Sequence, residues 1–272
     1  MQRTLGLCSW SLKPGSLNEL LDRTAQCSIN AIQIALEPLD SGVMPLEELR
    51  ALCADSNIHL ISGMMQTAKE DYSSLETIKA TGGLRPDEHW ETNQATARRQ
   101  AIIARKLGLD LVTLHAGYIE DGPELPTMIE RIKSIAGIFA EHNIRLGLET
   151  GQEHAQTLME ILDSPGMQHI GVNFDPANMI LYNMGDPINA MNLLKSRIVQ
   201  VHMKDAIPTP TPGQWGTEAQ AGSGGVDWAS FFQLVEELPP SVAVVIEREA
   251  GDQRIEDIRA ARKLAMHYGI NP

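Results

Sequence analysis

Short apolar runs and amphipathic stretches alternate from one end of the chain to the other. Eight runs rich in β-branched and aliphatic residues recur, at Thr4–Cys8, Ala31–Leu36, His59–Met64, Leu111–His115, Arg145–Glu149, Ile170–Phe174, Ile198–Met203 and Ala243–Glu247. Each is followed by a segment with helical periodicity, and that alternation predicts a parallel sheet with helices outside it. Eight β/α units close a (β/α)8, or TIM, barrel, which forms a single domain at about 250 residues. The 272 residues are therefore read as one such domain, 1–272.

The intervening segments carry start signals. Ser16 and Glu19 have capping-box spacing ahead of LLDRTAQC, and Pro45 stands at an expected first helical position before LEELRALC. Later helices are expected over His89–Leu107, Thr127–His142, His154–Asp163, Pro187–Lys195, Asp227–Leu238 and Gln253–Tyr268. Two connections are too long for bare turns, Gln66–Glu88 after the third run and Ala206–Gly225 after the seventh. Both follow strand ends, where barrel loops bind or cover substrate.

Composition narrows the function. Hydrophobic residues make up 43% and charged residues 21%, enough apolar surface for a closed core. The net charge of -13 has the wrong sign for gripping a phosphate backbone, so nucleic acid is not expected as a partner. No segment approaches the roughly 18–20 apolar residues of a membrane span, and MQRTLGLCSWSLKPG lacks a targeting pattern. A soluble, cytoplasmic protein is expected. Cys8, Cys27 and Cys53 are odd in number and lack metal or redox spacing, which suits reduced, packed thiols.

Every strand of a parallel barrel ends on the same rim, so polar residues closing successive strands converge. The fifth run ends RLGLET with Glu149, the sixth leads into DPAN with Asp175, the seventh contains His202 in VQVHMKD, and the eighth ends VVIERE with Glu247. Singly, each has a structural explanation: an ion pair for Glu149 or Glu247, a helix cap for Asp175, a core imidazole for His202. Together, three carboxylates and an imidazole at one rim repel one another unless a cation joins them. A divalent metal ion is expected, and three oxygens with one nitrogen suit Mn²⁺, Mg²⁺ or Co²⁺ and admit Zn²⁺. Lys204 and Asp205, just beyond His202, are candidates for the surrounding shell and for substrate contact.

LGLET, VNFDPAN, VHMKD and VVIERE in this order, with the looser GSGGVDW, make the chain resemble the xylose isomerase-like superfamily of TIM barrels, particularly its sugar isomerase and ketose 3-epimerase branch. The resemblance spans essentially the whole chain. It implies that Glu149, Asp175, His202 and Glu247 bind the metal, that Glu149 and Glu247 form the acid/base pair, and that the barrels associate as homo-oligomers.

Strand-end position adds His115, Trp10, Glu37 and Gln66 as candidates for substrate contact, Trp10 by stacking on a sugar face. The sequence also departs from the ketose epimerases. Asn178 stands where they place a substrate-binding His after the sixth-strand Asp, no Arg follows His202 closely, and Ala155 replaces a further Glu, with Glu153 nearby.

The expected function is a metal-dependent sugar isomerase or epimerase acting through an enediolate, on a small sugar or keto-sugar. A lyase or dehydratase on the same scaffold is the alternative, in which the same enolate expels a leaving group. A metal-dependent phosphodiesterase would need more histidines and a basic surface, and a non-enzymatic sugar-binding protein would leave its ligand unchanged. No Gly-rich phosphate cradle is evident, which favours unphosphorylated substrates.

Overall fold

The computed structural model describes residues 3–211 and 213–272. Among the described residues ten strands form: β1 (Leu5–Cys8), β2 (Ala31–Ala35), β3 (His59–Met64), β4 (Leu111–Leu114), β5 (Arg145–Glu149), β6 (Ile170–Phe174), β7 (Ile198–Met203), β8 (Asp205–Ile207), β9 (Thr217–Ala219) and β10 (Ala243–Ile246). Eight of them close a parallel barrel in the order β1-β10-β7-β6-β5-β4-β3-β2, while β8 and β9 pair as a separate antiparallel hairpin. The eight apolar runs of the sequence are these barrel strands, each within one residue at either end.

Eight helices take the expected places, at Leu17–Cys27, Leu46–Asp55, Asp87–Lys106, Leu125–Ala140, Ala155–Leu162, Pro187–Leu194, Trp228–Glu237 and Arg254–His267. Two start signals work differently from their expectation. Ser16 Oγ accepts from the Glu19 amide at 3.2 Å, but the Glu19 carboxylate accepts from the Gly15 amide at 2.8 Å, so only half of the box closes. Pro45 caps its helix from outside, with extended backbone, because its own side chain offers no acceptor and Leu46 begins the turn.

The long connections carry structure of their own. Gln66–Glu88 contains the helix Leu75–Thr81, opened by a full capping box between Ser74 and Thr77, and Ala206–Gly225 contains β9. A further helix, Pro176–Leu181, follows β6 directly.

Two bulges shape the barrel interior. Ile61 is skipped between the pairings Ile32↔Leu60 and Gln33↔Ser62, and Val199 between Val172↔Ile198 and Asn173↔Gln200. Each displaced side chain packs where a facing strand has glycine: a Cβ on Gly6 would lie 2.7 Å from Ile61 Cδ1, and one on Gly171 only 2.4 Å from Val199 Cγ1. A bulge re-aims the residues that follow it. Here Ser62 and Gln200 follow, and they meet across the barrel, Ser62 Oγ donating to Gln200 Oε1 at 2.7 Å.

Candidate metal centre

The polar layer begun by Ser62 and Gln200 continues toward the C-terminal rim. Gln200 Nε2 donates to Gln33 Oε1 at 2.9 Å and to Asn173 Oδ1 at 3.2 Å, and Gln33 Nε2 donates to Thr113 Oγ1 at 2.8 Å. All five side chains are buried. These donors orient the amides, so that Gln33 presents an oxygen to His202 Nε2 at 2.8 Å and Asn173 presents Nδ2 to Glu149 Oε2 at 3.1 Å. With Gln33 accepting, Nε2 carries a proton and Nδ1 of the neutral ring is left as a lone pair.

That nitrogen faces three carboxylates. His202 Nδ1 lies 3.3 Å from Glu149 Oε1, 3.4 Å from Glu247 Oε2 and 3.6 Å from Asp175 Oδ2. Among the described residues neither His202 Nδ1 nor Asp175 Oδ2 has a hydrogen-bond partner, although both are fully buried. Buried polar atoms are ordinarily satisfied, and two orphans aimed at one point call for a ligand. The separations equal the spacing of donors around an ion whose ligands lie about 2.0–2.2 Å away. One ligand atom from each of the four residues lies within 4.8 Å of the others. The donor set fits a divalent cation.

Each of these side chains is held from behind. Asp175 Oδ1 accepts from the Asn178 amide at 2.8 Å, capping Pro176–Leu181 and leaving Oδ2 free. Glu149 Oε1 accepts from Asn178 Nδ2 at 3.0 Å, and Lys204 Nζ donates to Asn178 Oδ1 at 3.2 Å. Glu247 Oε1 accepts from Trp10 Nε1 at 2.8 Å and Oε2 from Lys204 Nζ at 2.9 Å. Lys204 also pairs with Glu249.

Burial opposes every charge here, and the partners decide the outcome. Burial raises the Glu247 carboxyl, but Lys204 and His202 outweigh it and hold it well below the usual range. Burial lowers His202 and Lys204, yet the surrounding glutamates keep both well above their ordinary values. Burial pushes the Glu153 carboxyl up to about 8, outweighing the downward pull of His115.

A cavity of about 250 Å³ opens above the centre, lined among others by Trp10, Glu37, Gln66, His115, Glu247 and Glu249. Of the four converging side chains, Glu247 lines it and Glu149, Asp175 and His202 do not. Glu149 lies behind His115, whose Nε2 is 3.5 Å from Glu149 Oε1 and whose Nδ1 has no partner among the described residues.

The structure therefore brings the four rim side chains together and sorts the remaining candidates. His115, Glu37 and Gln66 face the cavity. Trp10 lines it too, but its indole N–H holds Glu247. Asn178 has both amide atoms engaged, by Glu149 and Lys204, and Lys204 lies behind the cavity against Glu247. The Asp205 carboxylate is turned to the loop, accepting from the amides of Ala206, Gly222, Gly224 and Val226 and from Trp228 Nε1, at 2.9–3.1 Å. It fastens the GSGGVDW segment to the end of β7.

A profile described as xylose isomerase-like TIM barrel matches residues 21–266. The chain belongs to the xylose isomerase-like TIM barrel family. Uncharacterized protein YihM of Escherichia coli strain K12 is 27% identical over 173 residues, 60% of this chain and 53% of YihM, so the match spans about half the length of that relative. A xylose isomerase domain protein from Planctomyces limnophilus has the same fold, with a TM-score of 0.85 at 24% identity over 98% of this chain and 97% of its own. So does an L-ribulose 3-epimerase, with a TM-score of 0.73 at 15% identity over 98% and 94% of the two chains. In this member of the xylose isomerase-like family, sequence reading overlooks Gln33, Asn173, Gln200 and Glu249. The first three carried a signal: a lone polar residue inside an apolar run, as in AIQIA, GVNF and IVQV.

Proposed function

We propose that the protein is a divalent-metal-dependent isomerase or epimerase of a sugar or keto-sugar. The observation that carries this reading is the convergence of three carboxylate oxygens and the His202 Nδ1 lone pair, two of the four atoms unpartnered among the described residues, beneath a small cavity. The name of the similar L-ribulose 3-epimerase supports the reaction class. The donor set suits Mn²⁺, Mg²⁺ or Co²⁺ and admits Zn²⁺.

Such an ion withdraws electron density from a carbonyl and its neighbouring hydroxyl and makes the adjacent C–H more acidic. The protein's own groups then move the proton. Glu247 lines the cavity and is ionised, the form required of a base, and Trp10 and Lys204 fix its two oxygens. Glu149 meets the cavity through His115 and supplies the second proton-transfer group. Removal by one glutamate and return by the other inverts the carbon, whereas return to the neighbouring carbon exchanges aldose and ketose.

The test is incubation of the Mn²⁺-loaded protein in D2O with a panel of ketoses, aldoses and 3-keto sugars, followed by NMR. An isomeric product carrying deuterium at one carbon is expected, and Glu149→Gln and Glu247→Gln should each lower turnover at least about 100-fold in folded protein. Loss of water or an alcohol from the substrate would identify a lyase instead. Substantial activity in both variants would remove the two-glutamate mechanism.

A further inference from the structure

Cys8 lies at the other nitrogen of the His202 ring, and the proton-transfer scheme leaves it unused. It ends β1, the strand between β2 and β10 in the barrel. Its Sγ stands 3.7 Å from His202 Nε2 and 3.6 Å from Gln33 Oε1. One ligand atom from each of Cys8, His202 and Glu247 falls within 4.8 Å of the others, and all three residues are buried, as is Gln33.

Hydrogen bonding does not account for this sulfur. Three donors approach Gln33 Oε1: His202 Nε2 at 2.8 Å, Gln200 Nε2 at 2.9 Å and Cys8 at 3.6 Å. A carbonyl oxygen has two lone pairs, and the thiol is the weakest and most distant of the three donors. What the thiol does offer is a soft ligand. A tetrahedral ion with sulfur at about 2.3 Å and nitrogen or oxygen at about 2.0 Å sets its donors roughly 3.3–3.6 Å apart. The two separations from Cys8 Sγ match that spacing, and the hydrogen bond from His202 to Gln33 opens once its proton leaves.

The protons have places to go. The one on Nε2 passes to Nδ1, which three carboxylate oxygens face at 3.3–3.6 Å. The one on sulfur goes to solvent as the metal–sulfur bond forms, since a coordinated thiol is deprotonated outright. Burial raises the pKa of the free thiol, so Cys8 stays protonated toward ions that prefer oxygen.

We propose that Cys8 Sγ, His202 Nε2 and Glu247, with Gln33 Oε1 as the fourth donor, form a second site that captures thiophilic divalent ions such as Cd²⁺ and shuts the oxygen centre. The two sites need opposite tautomers of His202 and share Glu247, so one ion is held at a time. The exclusion rests on the reading of Glu149, Asp175, His202 and Glu247 as metal ligands; the sulfur site itself does not depend on sugar chemistry.

The test is ultraviolet absorption and Mn²⁺ electron paramagnetic resonance on the full chain. One equivalent of Cd²⁺ is expected to produce a thiolate-to-Cd²⁺ charge-transfer band and to expel bound Mn²⁺, whereas Mn²⁺ alone gives no band. Cys8→Ser, which keeps a donor to Gln33, and Cys8→Ala should each lose the band and bind Cd²⁺ at least about 10-fold more weakly, with Mn²⁺ binding as in the wild type. Cys27 and Cys53 remain in both variants and reveal any band that does not come from Cys8. Cd²⁺ bound without a band, a band that survives both substitutions, or Cd²⁺ and Mn²⁺ bound together would overturn the proposal. A wild type that gives the band but does not bind Mn²⁺ would leave the sulfur site standing and remove the function proposed above.

Discussion

His202 donates Nε2–H to Gln33 Oε1 at 2.8 Å, and Gln33 in turn is oriented by Gln200 and Thr113. This chain decides which imidazole nitrogen faces Glu149, Asp175 and Glu247. Replacing Gln33 by Met keeps an unbranched side chain but removes the acceptor, so both tautomers of His202 become accessible. Outer partners of this kind are worth about 10–100-fold in metal affinity. Titration of Gln33→Met with Mn²⁺ should show a loss in that range with the barrel still folded, and wild-type affinity would mean that the tautomer is fixed elsewhere. The four rim residues could be read from the sequence because strand-end position is encoded locally, by the switch from apolar run to polar residue. Gln33 could not be given this role, since its partners stand 80, 167 and 169 positions away. The roles of Trp10 and Asn178 were obscured for the same reason: position puts both at the rim, but only the folded chain shows that they hold glutamates.

The hairpin of β8 and β9 does at the level of elements what Gln33 does for a single ring. At one end Asp205 collects five N–H donors and ties Gly222–Trp228 to β7. Gly224 passes so close that a Cβ there would lie 2.2 Å from Asp205 Oδ1. At the other end Glu218 accepts from the amides of Glu249 and Ala250 and pairs with Arg248 at 2.6 Å, holding the segment that follows Glu247. The hairpin thus links the rim after β7 to the rim after β10. Removing a charged acceptor costs about 1.5–3 kcal/mol per hydrogen bond, with strong non-additivity. Asp205→Ala should therefore destabilise the fold by at least about 3 kcal/mol. Urea denaturation gives the measurement, and a loss below about 1 kcal/mol would mean that the loop holds without this carboxylate. GSGGVDW was visible as a motif, and its wrapping of Asp205 was not, because a glycine's spacing records where the backbone comes close but not to what.

At the scale of the whole molecule, an ion bound at this centre would link stability to pH. In the metal-free protein, burial lowers the pKa of His202, but Glu149 and Glu247 more than offset it and hold it well above 6.5. A raised folded pKa means that protonated His202 contributes its full stability below the unfolded value, and that this contribution fades as pH rises through the folded value. A divalent ion has the opposite requirement, since it needs the lone pair that the proton occupies. Binding should therefore release close to one proton from His202 at neutral pH, and affinity should climb as pH rises toward the folded pKa. An ion present at about 100 times its Kd adds about 2.7 kcal/mol. For a chain of this size that is roughly 5–10 °C in Tm. Melting in EDTA and in Mn²⁺ across about pH 6–8 should show the two curves diverging as pH rises, the metal-free protein losing stability relative to the loaded one. Calorimetry in buffers of different ionisation enthalpy counts the released proton. A Tm gap independent of pH, with no proton released, would mean that the ion binds without displacing the proton of His202 and that Nδ1 is not among its ligands.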